Sequence, residues 1–218
     1  MDDNTINPNI TEENANSDKS SFSGSILEEV MATKKEESLA SFDPGKVIFD
    51  VLEQFPERAR HIVVKRYGLD GKTPETLEKL GEQYQITRER VRQIESQARK
   101  SLSGQAEGEI FGPVQKLLTN IILEHGEAIL EEKLLDELLG SQQTSSVAQN
   151  SLRLILTVLP EFEPIAEDKE LNSAWTNNQH VIDRIKKLAD NAVNIFDADN
   201  KVLRFKDLYT KIMDSEYG

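Results

Sequence analysis

The chain has 218 residues, enough for one or two small domains with real cores and too few for a large enzyme of several layers. Hydrophobic residues make up 37% and charged residues 30%, and no window approaches the roughly 18 apolar residues that a membrane-spanning helix needs, so the composition predicts a soluble, helix-rich protein. A formal net charge of -13 argues against a non-specific coat for nucleic acid, and zero cysteines exclude disulfides, thiolate zinc sites and thiol catalysis together.

The charge is sorted by region. Residues 1–41 carry -6 and residues 105–218 carry -9, whereas residues 42–104 carry +2. The opening "MDDNTINPNITEENANSDKSSFSGS" has neither a basic n-region nor an apolar core, so no secretion or import signal is read and the cytoplasm is the expected compartment. Its Asn, Asp, Glu and Ser content cannot bury enough surface to offset ordering entropy, and residues 1–41 are read as a disordered acidic tail. Within it, Ser25 and Glu28 have capping-box spacing ahead of a short apolar stripe, Ile26, Leu27 and Val30.

"FDPGKVIFDVLEQFPERARHIVVKRYGLDG" reads as two helices, one lined by Val47, Ile48, Val51 and Leu52, the other by Ala59, Ile62, Val63 and Tyr67 and ended by Gly68. Pro74 opens a brief helix carrying Leu77 and Leu80. Thr87 then has the position of an N-cap, with Ile86 before it placed to pack on Val91, and a longer helix is predicted to run to about Leu102. On that helix Val91, Ile94, Ala98 and Leu102 fall on one face and Arg88, Glu89, Arg92 and Gln93 on another. Gly81, in the second turn of the preceding helix, suits the close approach of a helix-turn-helix.

Breakers at Gly104, Gly108 and Gly112-Pro113 mark a linker over 105–112. A helix with Val114, Leu117, Leu118, Ile121 and Ile122 follows, then one around Ile129 to Leu139, then one from about Ser146 to Leu159, stopped by Pro160. "EFEPIAEDKELNSAWTN" reads as a two-stranded hairpin with its tip near Asp168, so residues 113–178 suggest a winged helix. Residues 179–218 give two more helices separated by the polar turn "DADNK". The expected fold is mainly α: a helix-turn-helix domain followed by a winged-helix-like α domain with a small β-hairpin.

The residue types on the exposed face of the 88–102 helix are those that read bases. Arginine offers a donor fork to guanine or phosphate, glutamine pairs bidentately with adenine, and glutamate accepts from cytosine. Spacing alone leaves a solvated amphipathic helix with i,i+4 ion pairs as the alternative.

"RHIVVKRYGLDGKTPETLEKLGEQYQITRERVRQIESQARKSL", residues 60–102, resembles region four of bacterial housekeeping sigma factors, in which an RYGL-type turn precedes a "TLEE(I/V)G" helix and a "(V/I)TRERVRQIE" recognition helix. With the upstream "VIFDVLEQFPERAR" the likeness covers about residues 43–103. It implies that Arg88, Glu89 and Gln93 read bases of a promoter element, that Arg92 contacts a base or phosphate, and that Arg58, Arg66 and Thr76 lie near the DNA backbone, with Leu77 beside them. It also implies RNA polymerase as a partner, through a flap of its β subunit. Val47, Val51 and Ile62 are candidates for that contact, against an ordinary core role for each. Nothing in the chain resembles the aromatic-rich promoter-melting regions of those factors. The C-terminal half is similar in outline to HARE-type winged modules, one of which forms the folded part of a polymerase delta subunit in some bacteria. Its charge of -9 suits a protein-binding or DNA-mimicking surface.

The implied function is a sequence-specific transcription factor on double-stranded promoter DNA, cytoplasmic and nucleoid-associated, with no membrane partner. The other reading is a polymerase-binding adaptor or sigma competitor that does not itself read DNA. No enzymatic constellation, cofactor or metal is expected. "GLDGKT" lacks the first glycine of a phosphate loop, since Arg66 stands there. "DADNK" places Lys201 and Leu208 where calcium ligands belong, and His61, His125 and His180 lack partners at ligand spacing.

Overall fold

A computed structural model describes residues 33, 35–105, 108–169, 171–199 and 202–214. The described residues fall into two units, one ending at residue 41 and the other beginning at residue 42. In the first, helix α1 covers 35–41, the end of the segment read as an acidic tail, and the Ser25–Glu28 capping pair lies outside the described residues.

In the second unit the chain opens with α2 (Pro44–Leu52), where Asp43 caps the helix by accepting from the Lys46 amide at 3.0 Å and Pro44 sits in the first turn. Helix α3 (Glu57–Tyr67) ends on Gly68, whose left-handed backbone (φ 65°) reverses the chain. A Cβ on Gly68 would meet the Lys72 carbonyl at 2.4 Å, so a side chain there is barred by space as well as by conformation. Helices α4 (Leu77–Tyr84) and α5 (Arg88–Ser103) follow, each begun by a threonine cap: Thr76 accepts from the Lys79 amide at 3.3 Å and Thr87 from the Arg90 amide at 3.1 Å. Ile62, Leu80 and Val91, from three different helices, form the core of this part, edged by Leu77, Tyr84, Ile86 and Ile94.

The second half contains α6 (Phe111–Glu124), β1 (Ala128–Leu130), α7 (Glu131–Leu139), a 3-10 turn (Gly140–Gln142), α8 (Ser146–Val158), β2 (Glu163–Ile165) and β3 (Ala174–Thr176). The strands form one antiparallel sheet in the order β1-β3-β2, with Ile129 opposite Trp175 and Trp175 opposite Pro164. Three helices, a β2–β3 hairpin and a third strand from the α6–α7 connection make the predicted winged architecture. The hairpin tip is closed at Asp168, which accepts from the Leu171 amide at 2.8 Å and donates its own amide to the Leu171 carbonyl at 2.9 Å.

Three local features differ from the sequence reading. Ile129 and Leu130 belong to a strand rather than to the following helix, because their apolar run satisfies a sheet edge as well as a helix face. Gly112-Pro113 lies in the first turns of α6, where proline's missing amide costs nothing, and Phe111 is already fully buried there. The "DADNK" segment is not a turn throughout: α9 (Gln179–Asp199) carries its first three residues before α10 (Phe205–Met213) begins.

The two halves of residues 42–218 share one body. Helix α8 packs along α2 and also touches α3 and α5. The buried face of α2, with Ile48, Val51 and Leu52 all fully inaccessible, is thereby covered. Val147 of α8 sits where two glycines of the first half leave room, 3.6 Å from a Cβ position on Gly45 and 3.5 Å from one on Gly71. Asn150 Nδ2 donates to the Gly68 carbonyl at 3.0 Å. Among the described residues no helix is long and apolar enough to cross a membrane.

Candidate nucleic-acid interface

The pairing of α4 and α5 is set by the turn between them. Gln85 adopts a left-handed conformation (φ 53°), and the Ile86 amide bonds back to the Gly81 carbonyl at 2.9 Å. A Cβ on Gly81 would lie 2.8 Å from the Ile86 carbonyl, closer than real contacts allow, so glycine is what lets α5 cross α4 at this distance. Thr87 then starts α5 at a defined residue, and Val91, Ala98 and Leu102 bury one stripe of it. Once that stripe is fixed, the helical period turns Arg88, Glu89, Arg92 and Gln93 outward, and all four are exposed.

These side chains hold one another. Arg92 donates to Glu89 through both Nε (2.8 Å) and Nη2 (2.7 Å). This bidentate bond lowers the Glu89 carboxyl below its usual range and raises the Arg92 guanidinium. Arg88 Nε pairs with Glu78 of α4 at 2.9 Å, and Arg90 Nη1 donates to Gln93 Oε1 at 3.1 Å. The face therefore presents fixed donors and acceptors rather than a row of unpartnered cations.

Other residues singled out from the sequence take different places. Arg58, exposed on α3, donates to the Tyr84 carbonyl at the end of α4 and so ties the two helices beside the turn. Arg66 points inward: its Nε bonds Glu95 at 3.2 Å and its Nη1 bonds the Glu75 carbonyl at 3.0 Å. Glu95 also accepts from the Tyr67 hydroxyl at 3.0 Å, and burial, reinforced by the Glu95 charge, pushes the Tyr67 ionisation upward. Thr76 serves as the α4 cap, and Leu77 edges the Ile62–Leu80–Val91 core. The structure thus groups Arg88, Glu89, Arg92 and Gln93 on one surface and places Arg66, Thr76 and Leu77 in its support. Val51 and Ile62 are fully buried, which gives them the core role and removes them as contact residues, while Val47 is half-buried.

Two cations belong with the exposed face although the sequence reading did not name them. Arg99 lies seven residues, close to two turns, after Arg92, and Lys100 follows it. With Arg92 and Ser96 they line a groove closed on its other side by Thr157, Val158 and Pro160 at the end of α8. The i,i+7 spacing from Arg92 was the signal available. In the second half, Glu131 accepts from Arg153 Nε at 2.8 Å and from Trp175 Nε1 at 3.1 Å, and His125 pairs with Glu137 at 2.9 Å. Among the described residues no group of three or more His, Asp or Glu side chains is placed to hold a metal ion.

A short helix, a glycine-tightened turn and a capped second helix with a polar outer face define a helix-turn-helix. In comparison with known proteins, residues 51–103 match the family model for sigma-70, region 4. The chain is 35% identical over 75 residues to the RNA polymerase principal sigma factor HrdD of Streptomyces griseus, covering 34% of this chain and 23% of that protein. It is 36% identical over 97 residues to the RNA polymerase sigma factor RpoD of Helicobacter pylori, covering 44% of this chain and 14% of that protein. The likeness read from "TRERVRQIE" is borne out over this segment, and the chain spans less than a quarter of the length of these relatives.

Proposed function

We propose that residues 42–104 read double-stranded promoter DNA through the N-terminal half of α5, and that the protein is a transcription factor working with RNA polymerase. One observation carries this reading: Arg88, Glu89, Arg92 and Gln93 share an exposed surface whose underside is locked by the Val91–Leu80–Ile62 core. Such a helix enters a major groove with base-reading groups at its first turns, where the helix dipole also favours phosphate. Arg58, beside the turn, is available to the DNA backbone while its guanidinium braces α4. The acidic second half, winged in fold and similar in outline to HARE-type modules, faces protein rather than DNA, because its charge of -9 repels phosphate. The compartment is then the cytoplasm, on the nucleoid, and the activity is binding rather than catalysis.

The test is affinity for promoter and scrambled duplexes. Gln93→Ala is expected to relax specificity at one base position and to cost about 1–3 kcal/mol on the preferred site. Equal affinity of the unaltered chain for both duplexes would end the base-reading proposal.

The ion pairs within the face favour a second reading. Arg92 is engaged by Glu89 and Arg88 by Glu78, so DNA must displace carboxylates to reach either arginine. An adaptor that occupies RNA polymerase without reading DNA would keep such pairs intact. It would still be captured by polymerase when Arg88 and Gln93 are replaced by alanine, whereas a promoter reader would lose promoter-dependent recruitment.

A further inference from the structure

The polar face of α5 continues beyond Gln93. At about 100° per residue, Ser96 and Ser103 fall within about 10° of the middle of the surface formed by Arg88, Glu89, Arg92 and Gln93, and Arg99 and Lys100 fall about 50° to either side of it. One face thus runs the length of the helix, with serines on its midline and a cation on each flank.

These two cations differ from those nearer the helix start. Arg88 is paired with Glu78 and Arg92 with Glu89, whereas Arg99 and Lys100 are exposed and, among the described residues, paired with no carboxylate. Glu95, one turn before Arg99 and lining the same groove, is turned to Arg66 and the Tyr67 hydroxyl, which leaves Arg99 free. The hydroxyls of Ser96 and Ser103 have no hydrogen-bond partner among the described residues either. Across the groove, the Thr157 hydroxyl donates to the Arg153 carbonyl at 2.7 Å, and Val158 and Pro160 have no side-chain donor. The groups that can hold an anion therefore stand on α5 alone.

Distance along the helix selects which anion. Lys100 lies eight residues, about 12 Å, beyond Arg92, and a major groove is about 12 Å wide between its phosphate ridges. A helix whose first turns meet bases inside the groove carries Arg99 and Lys100 to the bordering backbone, where serine hydroxyls also donate to phosphate oxygens. We infer that the groove between α5 and the end of α8 takes backbone phosphates at the edge of the duplex site, held by Arg99, Lys100 and the Ser96 and Ser103 hydroxyls. This rests on a duplex lying along α5, as in the promoter reading, and adds contacts that position the chain without reading sequence.

The experiment is fluorescence anisotropy of the full chain on a housekeeping promoter duplex and its scrambled counterpart across a series of salt concentrations. Arg99→Ala and Lys100→Ala are each expected to flatten the plot of log affinity against log salt by about 0.9, equally on both duplexes. The ratio of the two affinities should stay as in the wild type. Arg99→Lys keeps the charge and should keep the slope, and Lys133→Ala, which removes an exposed cation of α7, should leave it unchanged. A single neutral methylphosphonate, walked along the duplex, should weaken the wild-type chain at a flanking position where the Arg99→Ala, Lys100→Ala double variant does not respond. Slopes that ignore both substitutions, or that fall as far with Lys133→Ala, would overturn the inference. A changed affinity ratio would overturn it too, by making Arg99 or Lys100 a base reader, and so would failure to bind either duplex, which would leave the two cations to an acidic protein. Equal wild-type affinity for both duplexes, with the slopes still responding, would defeat the promoter reading and leave the phosphate contact standing.

Discussion

Helices α5 and α8 are of similar length, 16 and 13 residues, yet they are used in opposite ways. Helix α5 buries three residues in one narrow stripe and leaves its outer face to charged and amide side chains. Helix α8 buries Ala148, Ser151, Leu152, Leu154, Ile155, Leu156 and Val158, which spread over more than half of its circumference, because it is clasped between the first half and the winged module. It is the second helix of the α7–α8 pair and so stands where a helix-turn-helix would carry its reading surface. Here that surface is spent on packing. One module's second helix is free to meet a ligand, and the other's is the hinge pin of the molecule.

If that contrast is right, removing α8 damages the first half more than its sequence suggests. Residues 42–104 expressed alone should lose α2, since Ile48, Val51 and Leu52 would each forfeit about 1.5–3 kcal/mol of burial. Hydrogen exchange would show fast amides over 44–52, and full protection there would mean that α2 has another support. Leu152→Ala, in the fully buried middle of α8, is expected to cost about 2–5 kcal/mol through cavity formation. Both halves should then melt together at a lower temperature in calorimetry, and two separated transitions would break the picture of a shared body. On the α5 side the effects are smaller. Thr87→Ala removes the cap on the Arg90 amide and should cost about 1 kcal/mol, read from the denaturant midpoint. Glu89→Gln should leave the melting temperature where it is, because the Glu89–Arg92 pair is exposed and solvent-screened. Freed from its carboxylate, Arg92 should bind all duplexes more tightly with less discrimination, which competition with scrambled DNA would measure.

Much of the site was legible because its rules are local. Thr87 as cap, Gly81 at the tight crossing, Val91 inward and Arg88 and Gln93 outward each depend on neighbours within a few residues. Arg66 shows where that legibility stopped. Nothing within a turn of it predicts that Glu95, twenty-nine positions on, will hold it inward together with Tyr67. The three-residue strand β1 was hidden for a related reason. Ala128, Ile129 and Leu130 suit a helix by themselves, and only pairing with Trp175 and its neighbours makes them a strand.

By itself the sequence determined the periodicities, caps and breakers that start and stop the helices, and the face of α5 that carries Arg88, Glu89, Arg92 and Gln93. These follow from backbone geometry and from side chains a turn apart. The tertiary structure alone decided that α8 lies on α2, that Asn150 reaches the Gly68 carbonyl, and that Val147 fills the space left by Gly45 and Gly71. Those contacts join residues some eighty to a hundred positions apart. An apolar stripe announces that a helix must be covered without naming the partner, and shape and packing choose among the stripes available.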